Sequence, residues 1–278
     1  MKKRYVGEGK VELIAGGGKI FTDIAARFIR SERSLEEIVS TPYSRELVLK
    51  IVESGHKAAI EFDFFIFGIE GYSRVTEVQL VRKRLASYMI KTGRADKAGK
   101  RSFEIVIPKQ IEETKYQCSL PVNLITLEDG TPLENYLPVG EVAVHYSVDA
   151  DQIMSIIEGW YEKGIADGLP EEDLRYLKPQ ATEFKAIIGM NAHALMDWFT
   201  VRCCNNAQAE IRDLANKMLK ICKKTAPDLF QNAGPNCKVL GYCPENEMQN
   251  ERCKGKIIIK QKALEILKAA TKSPTINN

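Results

Sequence analysis

Histidine is scarce in this chain: three among 278 residues, His56, His145 and His193, none at metal-ligand spacing from another. That argues against a histidine-built metal centre and leaves no Ser-His-Asp or Cys-His arrangement for an activated nucleophile. A glycine-rich phosphate loop is missing too. Gly16-Gly-Gly18 lacks the G-x-G-x-x-G spacing between a strand and a helix, no G-x-x-x-x-G-K-[ST] occurs, and the triplet reads as a turn. No stretch approaches the roughly 18 apolar residues of a membrane span, and the opening MKKRYVGEGK leads into no apolar signal core. The expectation is a soluble cytoplasmic protein with no membrane partner. An excess of one charge is also absent. Forty Lys+Arg against 37 Asp+Glu leave +3, so no global field marks a nucleic-acid partner and any basic site is local.

What is present is a substantial apolar fraction, 44%, enough for one large domain or two small ones; no break in the sequence demands two. No internal repeat or low-complexity tract interrupts it. Seven cysteines, an odd number that includes the adjacent Cys203-Cys204, fit a reduced thiol protein better than a disulfide scaffold. Cys237, Cys243 and Cys253 are spaced x5 and x9, unlike the close C-x2-4-C pairing of most zinc sites. Cys222 becomes a fourth ligand only if its helix end folds against them; otherwise these are thiols packing a loop, and no metal is expected.

The periodicities predict a mixed α+β fold, helices around an antiparallel-type sheet. Thr41-Pro42 is placed as the start of a helix carrying Leu47, Val48, Ile51 and Val52 and closed by Gly55. Residues 60–69 read as a mostly buried strand, with a turn at Gly71-Tyr-Ser73. From Arg74 to about Met89 the spacing of Val75, Val78, Val81, Leu85 and Tyr88 predicts one helix with a buried face. Ser102 to Ile107 reads as a strand stopped by Pro108, Asp129-Gly-Thr-Pro132 as a turn, and Glu141 to Ser147 as a short strand. Asp149 or Asp151 starts a helix carrying Ile153, Ile156, Ile157, Trp160 and Tyr161; Pro170-Glu-Glu-Asp173 begins a shorter one. Phe184 to Met190 is strand-like, Asn191 caps a helix from Ala192 to about Arg202, and a longer amphipathic helix presents Ile211, Leu214, Ala215, Met218, Leu219 and Cys222.

The informative segment runs from Gln79 to Arg94, QLVRKRLASYMIKTGR. On a helix Gln79 and Arg82 share a face, and the following Thr92, Gly93 and Arg94 turn back toward it. Guanidinium groups, a hydroxyl and backbone N–H groups beside a glycine suit a phosphate monoester, which arginine binds bidentately. A solvated basic helix face is the alternative reading of the same residues. The run resembles the signature of flavin-dependent thymidylate synthases, R-H-R-x-x-S-x-x-x-x-S-x-R. Further blocks resemble that family in the same order: Gly55-His56 with Glu61 and an aromatic strand before it, Phe103 to Pro108 after it, then Leu174-Arg175 through Pro179, Met190-Asn191-Ala192, and Phe199 to Arg202 continuing into Ala207 to Ile211. The similarity covers most of residues 10–235, leaving 236–278 as a cysteine-containing extension.

The resemblance implies a homotetramer with active sites between subunits, which reduces FAD with NADPH and uses methylenetetrahydrofolate to methylate C5 of dUMP. It implies that Gln79, Arg82, Thr92, Gly93, Arg94 and Arg175 hold the nucleotide, with Arg202 at the pyrimidine ring as the catalytic cation. It places Glu61, Arg84, Leu85 and Asn191 at the flavin. The sequence departs from the family pattern at several positions. Lys83 replaces histidine, Ile90 a glutamate, Ala58 a threonine and His193 an arginine, while Asp197 stands where histidine or asparagine is usual. The alternative is a divergent paralogue that acts on another pyrimidine nucleotide or binds flavin and nucleotide without turnover.

Overall fold

The computed structural model describes residues 2–18, 20–91, 104–121, 128–131, 143–245, 253 and 257–271. Its strands are β1 (Lys2–Tyr5), β2 (Lys10–Ala15), β3 (Phe64–Ser73), β4 (Ser87–Ile90), β5 (Glu104–Ile107), β6 (Tyr116–Pro121), β7 (Ala143–Val148) and β8 (Glu183–Asn191). The first helices are α1 (Thr22–Phe28), α2 (Leu35–Ser40), α3 (Arg45–Ser54), α4 (Arg74–Leu80) and α5 (Lys109–Glu112). The later ones are α6 (Ala150–Ala166), α7 (Glu171–Leu174), α8 (Ala192–Arg202), α9 (Ala209–Thr225), α10 (Pro227–Phe230), α11 (Asn236–Leu240) and α12 (Lys260–Thr271). Among the described residues no helix is long and apolar enough to cross a membrane. The chain forms two compact units, one from Met1–Tyr5 and Thr92–Glu183, the other from Val6–Lys91 and Phe184–Asn278.

In the first unit β1 pairs in parallel with β5, and β6 pairs antiparallel with β7. Asp149 begins α6 with a capping box shared with Gln152, as its position in the sequence indicates. The buried face of α6 uses only part of its apolar set. Tyr161 is buried with Ile105, Ile107 and Leu174, and Met154 and Ile157 pack against them, whereas Ile153, Ile156 and Trp160 are exposed. At Gly164 the Leu174 side chain packs directly on α6; a Cβ there would stand 2.2 Å from Leu174 Cδ2 and would require that side chain to shift.

The second unit is built on a sheet of order β2-β3-β8-β4, with β2/β3 and β4/β8 antiparallel. Period-two alternation puts Phe65, Phe67 and Ile69 of β3 and Phe184, Ala186 and Ile188 of β8 in the core. Leu195 and Phe199 of α8 join them, as do Ile211, Leu214, Ala215, Met218, Leu219 and Cys222 of α9, the stripe expected from sequence. Two buried carboxylates have structural work. Asp63 accepts the Phe21 and Thr22 backbone N–H groups at 2.7 and 3.1 Å, and Glu210 accepts Ser73 N–H at 2.6 Å.

Several expected boundaries moved. Ser44, not Thr41, caps α3, accepting the Leu47 N–H at 3.3 Å, while Gly55 closes it at φ 75° as anticipated. Residues Lys57–Phe62 form a 3-10 turn, and the strand begins at Phe64 and runs through Gly71-Tyr-Ser73 with Tyr72 fully buried. The helix expected from Arg74 to Met89 stops at Leu80. Val81 to Ala86 then form turns, and Ser87–Ile90 pair with β8, Ile90 opposite Ala186. Thr76 and Leu80 are the residues α4 buries, while Val75, Val78, Val81 and Leu85 are exposed. The edge of β8 offers Ser87–Ile90 a ladder of hydrogen bonds that outweighs the weak helical preference of this valine-rich run.

Candidate active site

Arg202, the last residue of α8, reaches the end of α4. Its Nη2 donates to the Gln79 carbonyl at 3.1 Å and its Nη1 to Gln79 Oε1 at 3.4 Å. The carbonyl is one of those a helix leaves unpaired in its last turn, so Arg202 serves α4 as a cap. That role uses only part of a five-donor guanidinium. Burial and the neighbouring Arg82 both lower its pKa, burial more strongly. Among the described residues neither Arg82 nor Arg202 forms a salt bridge. Two guanidinium groups brought together without a carboxylate form a site that an anion would complete. The expectation that Gln79 and Arg82 share a helix face is corrected: Gln79 lies on α4 and Arg82 in the turn after it.

The turn itself is held from below. Tyr88 of β4 directs its hydroxyl between the carbonyls of Leu80 and Lys83, 2.8 and 2.9 Å away, and burial pushes its phenol up to about 12. With its base tied down, the turn presents Arg82, Arg84 and Leu85 to solvent, Leu85 being 70% exposed.

Beside it lies a second set of charges around the first half of α8. His193 Nδ1 lies 2.9 Å from Glu61 Oε1 and its Nε2 3.3 Å from Asp197 Oδ2. Lys57 reaches Asp197 at 3.0 Å and Lys83 at 3.9 Å. Glu61 therefore sits on the 3-10 turn rather than on a strand surface. Asn191 caps α8 as anticipated, its Oδ1 accepting Ala194 N–H at 2.7 Å, which leaves the amide NH2 to face a ligand. The Asn191 amide and the Arg84 guanidinium are donors suited to the FAD expected at Glu61, Arg84, Leu85 and Asn191. Exposed guanidinium groups match a pyrophosphate, and the uncovered Leu85 matches a flat ring.

Ile90, at the position of the family's glutamate, packs against the core of the second unit. Arg175 opens a 3-10 turn in the first unit and is exposed. Thr92, Gly93 and Arg94 lie outside the described residues. Sequence reasoning missed the roles of Tyr88, Lys57 and Asp197. For the charge pair the signal was available: the lysine at 83 and the aspartate at 197 are both departures from the family pattern, and they face each other.

The Thy1 family, described as thymidylate synthase complementing protein, matches residues 19–228. A flavin-dependent thymidylate synthase of Geobacter sulfurreducens is 35% identical over 228 residues, covering 81% of this chain and 85% of the relative. One from Clostridium tetani is 37% identical over 237 residues, again covering 81% and 85%. Among solved structures, the UMP/dUMP methylase PolB of Streptomyces cacaoi, bound with 5-Br dUMP, superposes with a TM-score of 0.60 at 17% identity, covering 83% of this chain and 96% of that one. That likeness bears out the α+β fold, while the identities and the match over residues 19–228 show that the chain belongs to the family of flavin-dependent thymidylate synthases.

Proposed function

We propose that this protein binds FAD and reductively methylates C5 of dUMP to dTMP, with methylenetetrahydrofolate as one-carbon donor and NADPH as reductant. The observation that carries the reading is Arg202 bound to Gln79 at the end of α4, with Arg82 in the turn just beyond and no salt bridge to either arginine among the described residues. FAD supplies the redox chemistry when bound, which fits a chain without a nucleophile–base pair. Arg82 binds the nucleotide phosphate, and the family likeness adds Thr92, Gly93, Arg94 and Arg175. Arg202 lies against the pyrimidine carbonyl and stabilises negative charge as C5 becomes nucleophilic, while Gln79 fixes the guanidinium plane. Glu61, Arg84, Leu85 and Asn191 hold the flavin.

Assembly as a cytoplasmic homotetramer accords with the second unit's sheet, whose face away from the core leaves Ile14, Phe64, Met89 and Ile187 exposed. Residues 1–235 form the catalytic part and 236–278 an extension. One observation favours the paralogue reading. Ile90 turns a side chain that can neither accept a hydrogen bond nor move a proton into the core.

The purified protein, supplied with FAD, NADPH, methylenetetrahydrofolate and dUMP, is expected to release dTMP and to complement a thymidine auxotroph. Flavin binding with turnover of UMP but not dUMP would establish the paralogue instead. A protein that neither retains nor quenches flavin would remove both readings.

A further inference from the structure

The C-terminal extension encloses a feature that the proposed reaction does not use. A cavity of about 140 Å³ lies past the end of α8, and its wall contains five of the chain's seven cysteines: Cys203, Cys204, Cys237, Cys243 and Cys253. They come from segments far apart in sequence. Cys203 and Cys204 follow Arg202 at the C-terminus of α8, Cys237 lies on α11, and Cys243 is in the loop beyond it. Backbone pairing holds that loop, with Cys243 N–H donating to the Ile258 carbonyl at 2.7 Å and Cys243 bridging Ile259. Cys253 enters from the following stretch, its Sγ 3.6 Å from Asn205 Nδ2. Cys222 is not part of this group, since it is fully buried in the core of the second unit.

All six cysteines whose side chains are described are free thiols. Thiols that merely packed a loop would fill space, whereas these line it. The volume is about ten times what a single water needs, and cysteine, proline and isoleucine dominate much of the wall. Cys204, Cys237, Cys243 and Cys253 line this one cavity, and Cys203, also in its wall, belongs to the hydrophobic core. Among the described residues no three thiol, imidazole or carboxylate side chains are placed to hold one metal ion. A tetrahedral zinc site needs its sulfurs about 3.8 Å apart, from a Zn–S bond of about 2.3 Å. An iron–sulfur cluster places iron and sulfide between its four thiolates, so it requires them farther apart around an enclosed volume.

We propose that Cys204, Cys237, Cys243 and Cys253 ligate an iron–sulfur cluster in this cavity. The Asn205 amide beside Cys253 Sγ is the kind of donor that stabilises a ligating thiolate. Three of the four ligands lie beyond residue 228, where the family match ends, and Cys204 lies within it.

The test is elemental and does not depend on the proposed methylation. The full chain, purified without oxygen and reconstituted with ferrous iron and sulfide, is expected to carry iron and acid-labile sulfide in equal amounts and to give a paramagnetic signal on reduction with dithionite. Cys204→Ser with Cys243→Ser should abolish both iron and sulfide, while Cys222→Ala, outside the cavity, should keep them. Circular dichroism of the variants separates ligand loss from unfolding, and the wild-type metal content decides the matter by itself. One zinc per chain without iron would overturn the proposal, as would a wild-type protein that retains no iron and sulfide after reconstitution.

Discussion

The two ends of α8 carry charge in opposite ways. Around its first half, Glu61, His193, Asp197, Lys57 and Lys83 interlock at 2.9 to 3.9 Å, and each cation faces a carboxylate. At its other end, about 16 Å away for a helix of 11 residues, Arg202 binds a glutamine and has no salt bridge among the described residues. The helix macrodipole makes a C-terminal cation favourable. Compensated charge organises a surface. Uncompensated charge of one sign, held by neutral hydrogen-bond partners, marks where a ligand of the other sign belongs.

The strongest way to break this comparison is Arg202→Ala. If Arg202 stabilises charge developing on the ring, kcat for dTMP formation should fall by about 100- to 1,000-fold, the effect of removing one oxyanion donor. Circular dichroism should be unchanged. A loss smaller than tenfold would reduce Arg202 to the cap of α4. Next in size is Arg82→Ala. A charge-assisted phosphate bond contributes about 1.5–3 kcal/mol, so dUMP should bind roughly tenfold or more weakly while deoxyuridine binding changes little. Calorimetry with both ligands separates phosphate recognition from ring recognition, and equal losses would move the phosphate elsewhere.

Smaller effects sharpen the other end. Asn191→Ala removes the cap bond to Ala194 and should cost about 1 kcal/mol, seen as a fall in Tm of about 2–4 °C. FAD affinity should fall as well, because the same amide is assigned to the flavin. A drop in Tm with unchanged flavin titration would leave Asn191 a cap alone. The least effect is expected from the Lys83–Asp197 pair. It is half-exposed at 3.9 Å, so a double-mutant cycle of Lys83→Ala and Asp197→Ala should give a stability coupling below about 1 kcal/mol. A larger coupling would mean that these two departures from the family pattern act as a unit.

Particular residues show why some of this was legible in the sequence. Phe184 to Met190, Asn191 and Ala192 to Arg202 read as strand, cap and helix because alternation, capping and helical spacing are all local. The α9 stripe was legible for the same reason, with a long run of 3.6-residue periodicity. Residues 74–90 were misread because their valines and Leu85 have helical spacing yet face solvent. The competing interaction, pairing with β8, is about a hundred residues away. Which side of α6 is buried was not legible, because Gly164, which packs against Leu174, has no side chain to count in any periodicity.

Sequence alone therefore determined the family, the cap and stripe of α8 and α9, and the inventory of arginines and cysteines. Each depends on residue identity at short spacing or on ordered blocks. Tertiary structure alone decided which of those residues meet. Arg202 and Gln79 are 123 positions apart, and the cysteine cavity draws on segments from residue 203 to residue 253. Such encounters follow from core packing that brings distant chain ends together, and no local periodicity encodes them.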